Sequence, residues 1–133
     1  MKQRHILVSD DDPGVLDVIR IRLEAGGFTV TTAQDSYQAL SLARSTKPDV
    51  MVLDINMPAG SGFSVQERIA EIPEIAQTPI IFITGEVGEK VDRDAMRRGA
   101  AAIVHKPFHV SELVDEIRTA LGYWTPTPLG SSG

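Results

Sequence analysis

At 133 residues and 14.4 kDa the chain is long enough to bury a core without covalent staples, and its length suits one domain. Cysteine is absent, which excludes disulfides, thiolate metal sites and a cysteine nucleophile and fits a reducing compartment. Thirteen basic against eighteen acidic side chains give a formal charge of −5 and a pI of about 5.1, which argues against direct nucleic-acid binding by this domain.

The opening Met1-Lys2-Gln3-Arg4-His5 is polar, and the apolar run behind it is too short for a signal-peptide core or a membrane span. The expectation is a cytoplasmic protein with no membrane partner.

Short apolar runs then alternate with longer segments of helical period, the pattern of repeated βα units that build a parallel sheet. The first strand is expected over His5 to Ser9. A helix follows, with Asp12 as N-cap, Pro13 at the first helical position, a stripe of Val15, Leu16, Ile19 and Leu23, and Gly26-Gly27 as the stop. Phe28 to Thr32 alternates as a strand. Asp35 or Ser36 caps a second helix through Ala43, which Lys47-Pro48 breaks.

The third strand is Val50 to Asp54, and the turn-rich residues 55–62 should form a loop before a helix from Phe63 to Glu71. Ile80 to Thr84 is the fourth strand, and a fourth helix runs from Gly88 to Arg98 with Gly99 ending it. Arg97 and Arg98 read as a last helical turn, where cations complement the helix dipole. Ala102 to His105 is the fifth strand, and a final helix covers Ser111 to Leu121 with Ser111 as N-cap. One domain is therefore expected over residues 1–122, with residues 123–133 a flexible tail, the start of a linker or a cloning remnant.

Right-handed βα crossovers put every strand C-terminus on one sheet edge, so Asp10, Asp11, Asp54, Thr84 and Lys106 can converge there. Three carboxylates held together repel one another unless a cation compensates, and hard oxygen ligands suit Mg²⁺. Lys106 adds a compact positive charge able to meet a carboxylate or a phosphoryl oxygen. Cation and lysine together form the electrostatic clamp that phosphoryl transfer needs. In such a setting an aspartate can attack phosphorus and hold an acyl phosphate. Asp54 is the better candidate, because Asp10 and Asp11 are adjacent and placed to hold metal and its waters. Thr84 can donate a hydrogen bond to the phosphoryl group, and Gly85 leaves room for a ligand to reach the backbone.

Taken singly, most of these residues carry little weight: Asp12 is a cap, and a threonine or lysine at a strand end is ordinary. The five in this order are hard to attribute to turns. His105 and His109 have the spacing of a helical metal pair, but Pro107 between them rules out a continuous helix, and they read as surface residues. Gly60-Ser61-Gly62 has no Walker lysine and no dinucleotide frame. Phe63, Phe82 and Phe108 read as core and packing residues.

Ile6-Leu7-Val8-Ser9-Asp10-Asp11-Asp12-Pro13, Val52-Leu53-Asp54-Ile55-Asn56-Met57-Pro58 with Gly62, Ile83-Thr84-Gly85 and Lys106-Pro107-Phe108 resemble the receiver domains of two-component response regulators, over about residues 4–122. The resemblance implies an α/β fold, the (βα)5 flavodoxin-like doubly wound sandwich with parallel sheet order 2-1-3-4-5. It implies that Asp54 accepts a phosphoryl group from a histidine kinase's phosphohistidine. Asp11 and Asp54 would ligate Mg²⁺ directly, Asn56 through its backbone carbonyl and Asp10 mainly through water. Lys106 would bind a phosphoryl oxygen, Thr84 would turn its hydroxyl toward the phosphate, and the Lys106–Pro107 bond would be cis.

The implied activity is that of a switch, catalysing only its own phosphorylation and dephosphorylation and shifting a surface of the fourth helix, fifth strand and fifth helix. Its implied partners are a sensor histidine kinase or phosphotransfer protein and a downstream effector or output domain, and the resemblance admits a homodimer formed on phosphorylation. Asn56 and Glu86 are similar to a pair that tunes dephosphorylation in chemotaxis-type receivers, which implies a short-lived phosphoryl group. One position departs from the pattern: three residues before the lysine, where many receivers carry an aromatic switch, this chain has Ile103. A phosphatase of the haloacid dehalogenase type also uses a strand-end aspartate, a lysine and Mg²⁺, but it wants a second aspartate where Asn56 stands. An unphosphorylated receiver that only binds partners would have lost part of the acidic set, and here the set is complete.

Overall fold

The computed structural model describes residues 3–123. The expected tail therefore lies, from residue 124 onward, outside the described residues. Strand β1 (His5–Ser9) leads to helix α1 (Pro13–Ala25), where the Asp12 side chain accepts a hydrogen bond from the Gly14 N–H at 2.9 Å. Leu16, Ile19 and Leu23 turn into the core, as the helical stripe requires.

Strand β2 (Thr29–Ala33) starts one residue later than expected, with Phe28 buried just ahead of it. Asp35 caps α2 (Ser36–Thr46) by accepting from the Gln38 N–H. This helix outruns Ala43 by three residues. Proline restricts the residue immediately before it, so the break falls at Lys47, with φ of 48°, and not earlier.

Strand β3 (Val50–Asp54) is buried throughout. The stretch expected to be plain loop contains a small antiparallel hairpin, β4 (Asn56–Met57) and β5 (Gly60–Ser61), because its turn residues let the chain fold back on itself. Ser61 and Ser64 then exchange side-chain bonds with each other's backbone N–H and start α3 (Gly62–Ala70).

Strand β6 (Ile80–Thr84), helix α4 (Glu89–Arg97), strand β7 (Ala102–His105) and helix α5 (Val110–Ala120) complete the chain of elements. The cap of α5 corrects the expectation. His109 is the N-cap and Ser111 lies inside the first turn, since Glu112 reaches back to the His109 N–H.

Five strands form one parallel sheet in the order β2-β1-β3-β6-β7, which is the expected 2-1-3-4-5 when the sheet strands alone are counted. On one face Ile6, Val8, Val50, Val52, Ile81 and Ile83 meet Leu16, Ile19, Leu23, Leu113 and Ile117 of α1 and α5. The other face carries Leu7, Met51, Leu53 and Phe82 against Ala39, Val65, Ile69, Val91 and Ala95 of α2, α3 and α4. Both faces are covered, so the central strands are continuous apolar runs that become polar only where they emerge at the carboxyl edge. That edge holds the site.

Candidate functional site

Asp10, Asp54 and Lys106 meet at the carboxyl edge of β1, β3 and β7. Asp10 follows β1, is fully buried, and has its N–H bonded to the Ala33 carbonyl at 3.1 Å. Its Oδ1 accepts from the Asp12 N–H at 2.9 Å, a turn that aims the rest of the carboxylate along the edge. Its Oδ2 lies 2.8 Å from Lys106 Nζ as an ion pair, with no other partner.

Asp54 ends β3 at 2% exposure. Its Oδ1 accepts from the Asn56 N–H at 3.1 Å and its Oδ2 from Lys106 Nζ at 3.0 Å. Gly62 backs it from behind: a Cβ there would stand 2.5 Å from the Asp54 carbonyl oxygen, so only glycine lets α3 start this close to β3.

Asp11 is exposed at the mouth, and one of its carboxylate oxygens lies within 4.8 Å of oxygens from Asp10 and Asp54. Thr84 is buried at the end of β6, its Oγ1 accepting from the Glu86 N–H at 2.9 Å, and its carbonyl takes the Lys106 N–H at 2.7 Å. The Lys106–Pro107 bond is cis, as the resemblance implied.

Burial raises the Asp54 carboxyl above the usual carboxylate range, and the nearby Asp10 charge adds to this. The Lys106 ammonium and the Asn56 N–H pull the other way without cancelling it. For Lys106, burial alone would lower the ammonium. Its contacts with Asp10 and Asp54 outweigh that, so its pKa ends raised and it stays charged.

A hard divalent cation fits this donor set. Three carboxylates with one lysine leave an excess of negative charge, and the buried Asp10 Oδ2 has no partner besides the Lys106 ammonium. Asp10, Asp11 and Asp54 can ligate it, and the Asn56 backbone runs beside them in β4.

The structure brings together Asp10, Asp11, Asp54 and Lys106, places Thr84 one strand away, and leaves Gly85 and Glu86 exposed in the β6–α4 connection. No atom lies within 4 Å of where a Gly85 side chain would start. Ile103 is half-buried beside Phe82, its register partner on β6.

Three relationships escaped the sequence. Val15, Val18, Ile19, Pro107 and Phe108 line a groove of about 490 Å³ that reaches Lys106. Arg98, at the end of α4, lies 4.4 Å over the Phe63 ring and pairs with Glu67 at 2.6 Å. His105, exposed as expected, contacts Asp92 of α4 at 2.8 Å. Each is a contact between distant segments, and no local pattern signals it.

A five-stranded parallel sheet with an acidic, lysine-bridged pocket at its carboxyl edge defines a flavodoxin-like α/β protein of the kind built around CheY-like sites. The family model described as response regulator receiver domain matches residues 6–118, and the chain belongs to that family.

Among curated relatives, the chain is 33% identical over 118 residues to the DNA-binding dual master transcriptional regulator RpaA of Synechocystis sp., covering 87% of this chain and 48% of that protein. It is 36% identical over 114 residues to an uncharacterized 14.6 kDa protein of Leptolyngbya boryana, covering 86% of this chain and 87% of that one. The chain thus spans about half the length of the regulator and most of the length of the small protein.

Among solved structures, the chemotaxis response regulator CheY4 of Vibrio cholerae superposes with a TM-score of 0.84 at 27% identity, covering 90% of this chain and all of that one. The non-phosphorylated HemR receiver domain of Leptospira biflexa gives 0.83 at 29% identity, covering 94% and 99%. Receivers of this family work in two-component signalling with histidine kinases and output domains. No helix among the described residues is long and apolar enough to cross a membrane.

Proposed function

We propose that this chain is a phosphorylation-dependent switch, one receiver unit over residues 1–122, working in the cytoplasm with Asp54 as phosphoacceptor. The observation that carries the reading is Lys106 Nζ lying within 3.0 Å of both Asp10 and Asp54, with an Asp11 carboxylate oxygen within 4.8 Å of oxygens from those two. An Asp54 carboxylate oxygen attacks the phosphorus of a phosphohistidine, the phosphorus–nitrogen bond breaks, and the imidazole leaves with the electron pair. The product is an acyl phosphate on Asp54, which water later hydrolyses to carboxylate and inorganic phosphate.

Asp11 and Asp54 would hold Mg²⁺ directly, the Asn56 backbone carbonyl would join them and Asp10 would act mainly through water, and the ion would supply neutralisation of the phosphoryl charge. Lys106 keeps its charge in this setting and is free to exchange a carboxylate contact for a phosphoryl oxygen. Thr84 currently accepts from the Glu86 N–H, so its hydroxyl hydrogen remains available to donate to that group. Gly85 lies open beside it, leaving the ligand room. Asn56 and Glu86, both exposed beside the site, set how quickly water removes the phosphoryl group.

The phosphoryl donor is a sensor histidine kinase or a phosphotransfer protein. The reader is an output domain or separate effector that recognises the surface of α4, β7 and α5, and a phosphorylation-driven homodimer is one form of that recognition. The test is incubation with acetyl phosphate and Mg²⁺ followed by intact mass measurement. Wild type should gain a phosphoryl adduct and Asp54→Asn should not. Equal behaviour of the two overturns the assignment, and steady turnover of unrelated phosphate esters would mark a phosphatase instead.

A further inference from the structure

Ile103 stands where many receivers carry an aromatic switch residue, and it packs half-buried beside Phe82. His105 stands two residues further along β7, and in a strand that spacing puts both side chains on the same face. Its Nε2 meets Asp92 Oδ1 of α4 at 2.8 Å. A carboxylate only accepts, so the facing imidazole nitrogen carries a hydrogen, and neutral and charged imidazole can both make this bond.

Both neighbours of His105 belong to the site. Thr84 is its register partner on β6, and Lys106 follows it in the chain, with the Lys106 N–H bonded to the Thr84 carbonyl at 2.7 Å. A change in Thr84 or Lys106 therefore reaches the His105 backbone directly.

On the other side of the contact, α4 is lightly held. It buries only Val91 and Ala95, and its N-cap Gly88, at φ of 130°, offers no side-chain cap. Among the described residues, Asp92 is the one side chain within α4 that bonds another element, since Arg93 pairs with Glu89 of the same helix. The second polar tie, Arg98 to Glu67, sits beyond the other end of the helix and leads to α3.

We infer that the His105–Asp92 contact is the latch through which the state of Thr84 and Lys106 is passed to α4, in the place of the missing aromatic at position 103. The inference rests on the phosphoacceptor reading of Asp54 and names the regulation of that same site. A helix with one polar tether to the strand that carries the site has two discrete arrangements, tethered and released, and the site biases them through β7.

The test is hydrogen exchange of the α4 amides, read with and without acetyl phosphate and Mg²⁺, beside intact mass. In the resting protein His105→Ala and Asp92→Ala should each speed α4 exchange roughly fivefold, the effect of one lost hydrogen bond. The double variant should be no faster than either single one, and His105→Gln, which keeps a donor, should return toward wild type. Glu89→Ala removes an acid from the same helical turn without touching the latch, and should have the smaller effect.

After acetyl phosphate, His105→Ala should gain the same adduct as wild type yet lose the α4 response. Resting exchange at the wild-type rate, additive single effects, or an intact α4 response in phosphorylated His105→Ala would each overturn the latch. A wild type that gains no adduct overturns the Asp54 reading instead, and the resting-state variants still decide the latch.

Discussion

Lys106 and Asp54 lie 52 residues apart in the chain and 3.0 Å apart in the fold, and the same ammonium stands 2.8 Å from Asp10. One cation thus holds two buried carboxylates that would otherwise face each other uncompensated.

Lys106→Met should therefore destabilise the fold by roughly 3 kcal/mol at neutral pH, because it strands buried charge. Urea denaturation measures this, and Mg²⁺ should restore much of the loss in the variant. The lysine's folded pKa is raised, so its contribution is complete below its ordinary pKa and is lost as pH rises through the raised value. A variant as stable as wild type without Mg²⁺ would show that the lysine does not hold the acids together.

Asp54 gives the opposite dependence. Its folded pKa is raised, chiefly by burial, so keeping it ionised costs stability at neutral pH, and the cost fades as pH falls through the raised value toward the unfolded one. Asp54→Asn should gain on wild type at neutral pH, and the difference should shrink toward zero on acidification. Mg²⁺ affinity, followed by calorimetry, should fall with acidification from a higher pH than an ordinary aspartate would give, because binding needs the ionised form.

Gly62→Ala places a Cβ 2.5 Å from the Asp54 carbonyl oxygen, where only backbone can give way, so a loss of about 1–3 kcal/mol and a displaced acceptor are expected. Gly85→Ala meets nothing within 4 Å and should leave thermal stability close to wild type. Thermal melts of the two variants, with adduct formation by mass, separate the packing role from the open position beside Thr84.

Asn56 and Glu86 are both exposed, so replacing them together should leave stability unchanged and lengthen the life of the phosphoryl group. The decay of the adduct after removal of acetyl phosphate is the measurement. An unchanged half-life would remove both residues from the control of hydrolysis.

The elements were legible because their signals are local. Val50 to Asp54 and Ile80 to Thr84 are apolar runs that stop on a polar residue, and both strands fall where the pattern puts them. The hairpin after Asp54 and the His109 cap were not, since each depends on a side chain or strand a few residues away that competes with an equally good local choice.

The candidate site was legible to the same extent. Asp10, Asp54, Thr84 and Lys106 could be placed on one edge by topology alone, because parallel βα units allow only one hand of crossover. Why Gly62 must be glycine, and that His105 touches Asp92, could not be foreseen.

By itself, the sequence determined which residues end the strands and therefore which chemistry gathers at the sheet edge, because period and turn residues act within a few positions. Only the tertiary structure decided that Lys106 bridges both acids and that His105 of β7 touches Asp92 of α4. These depend on burial and on angstrom-scale distances between segments that the chain brings together only when it folds.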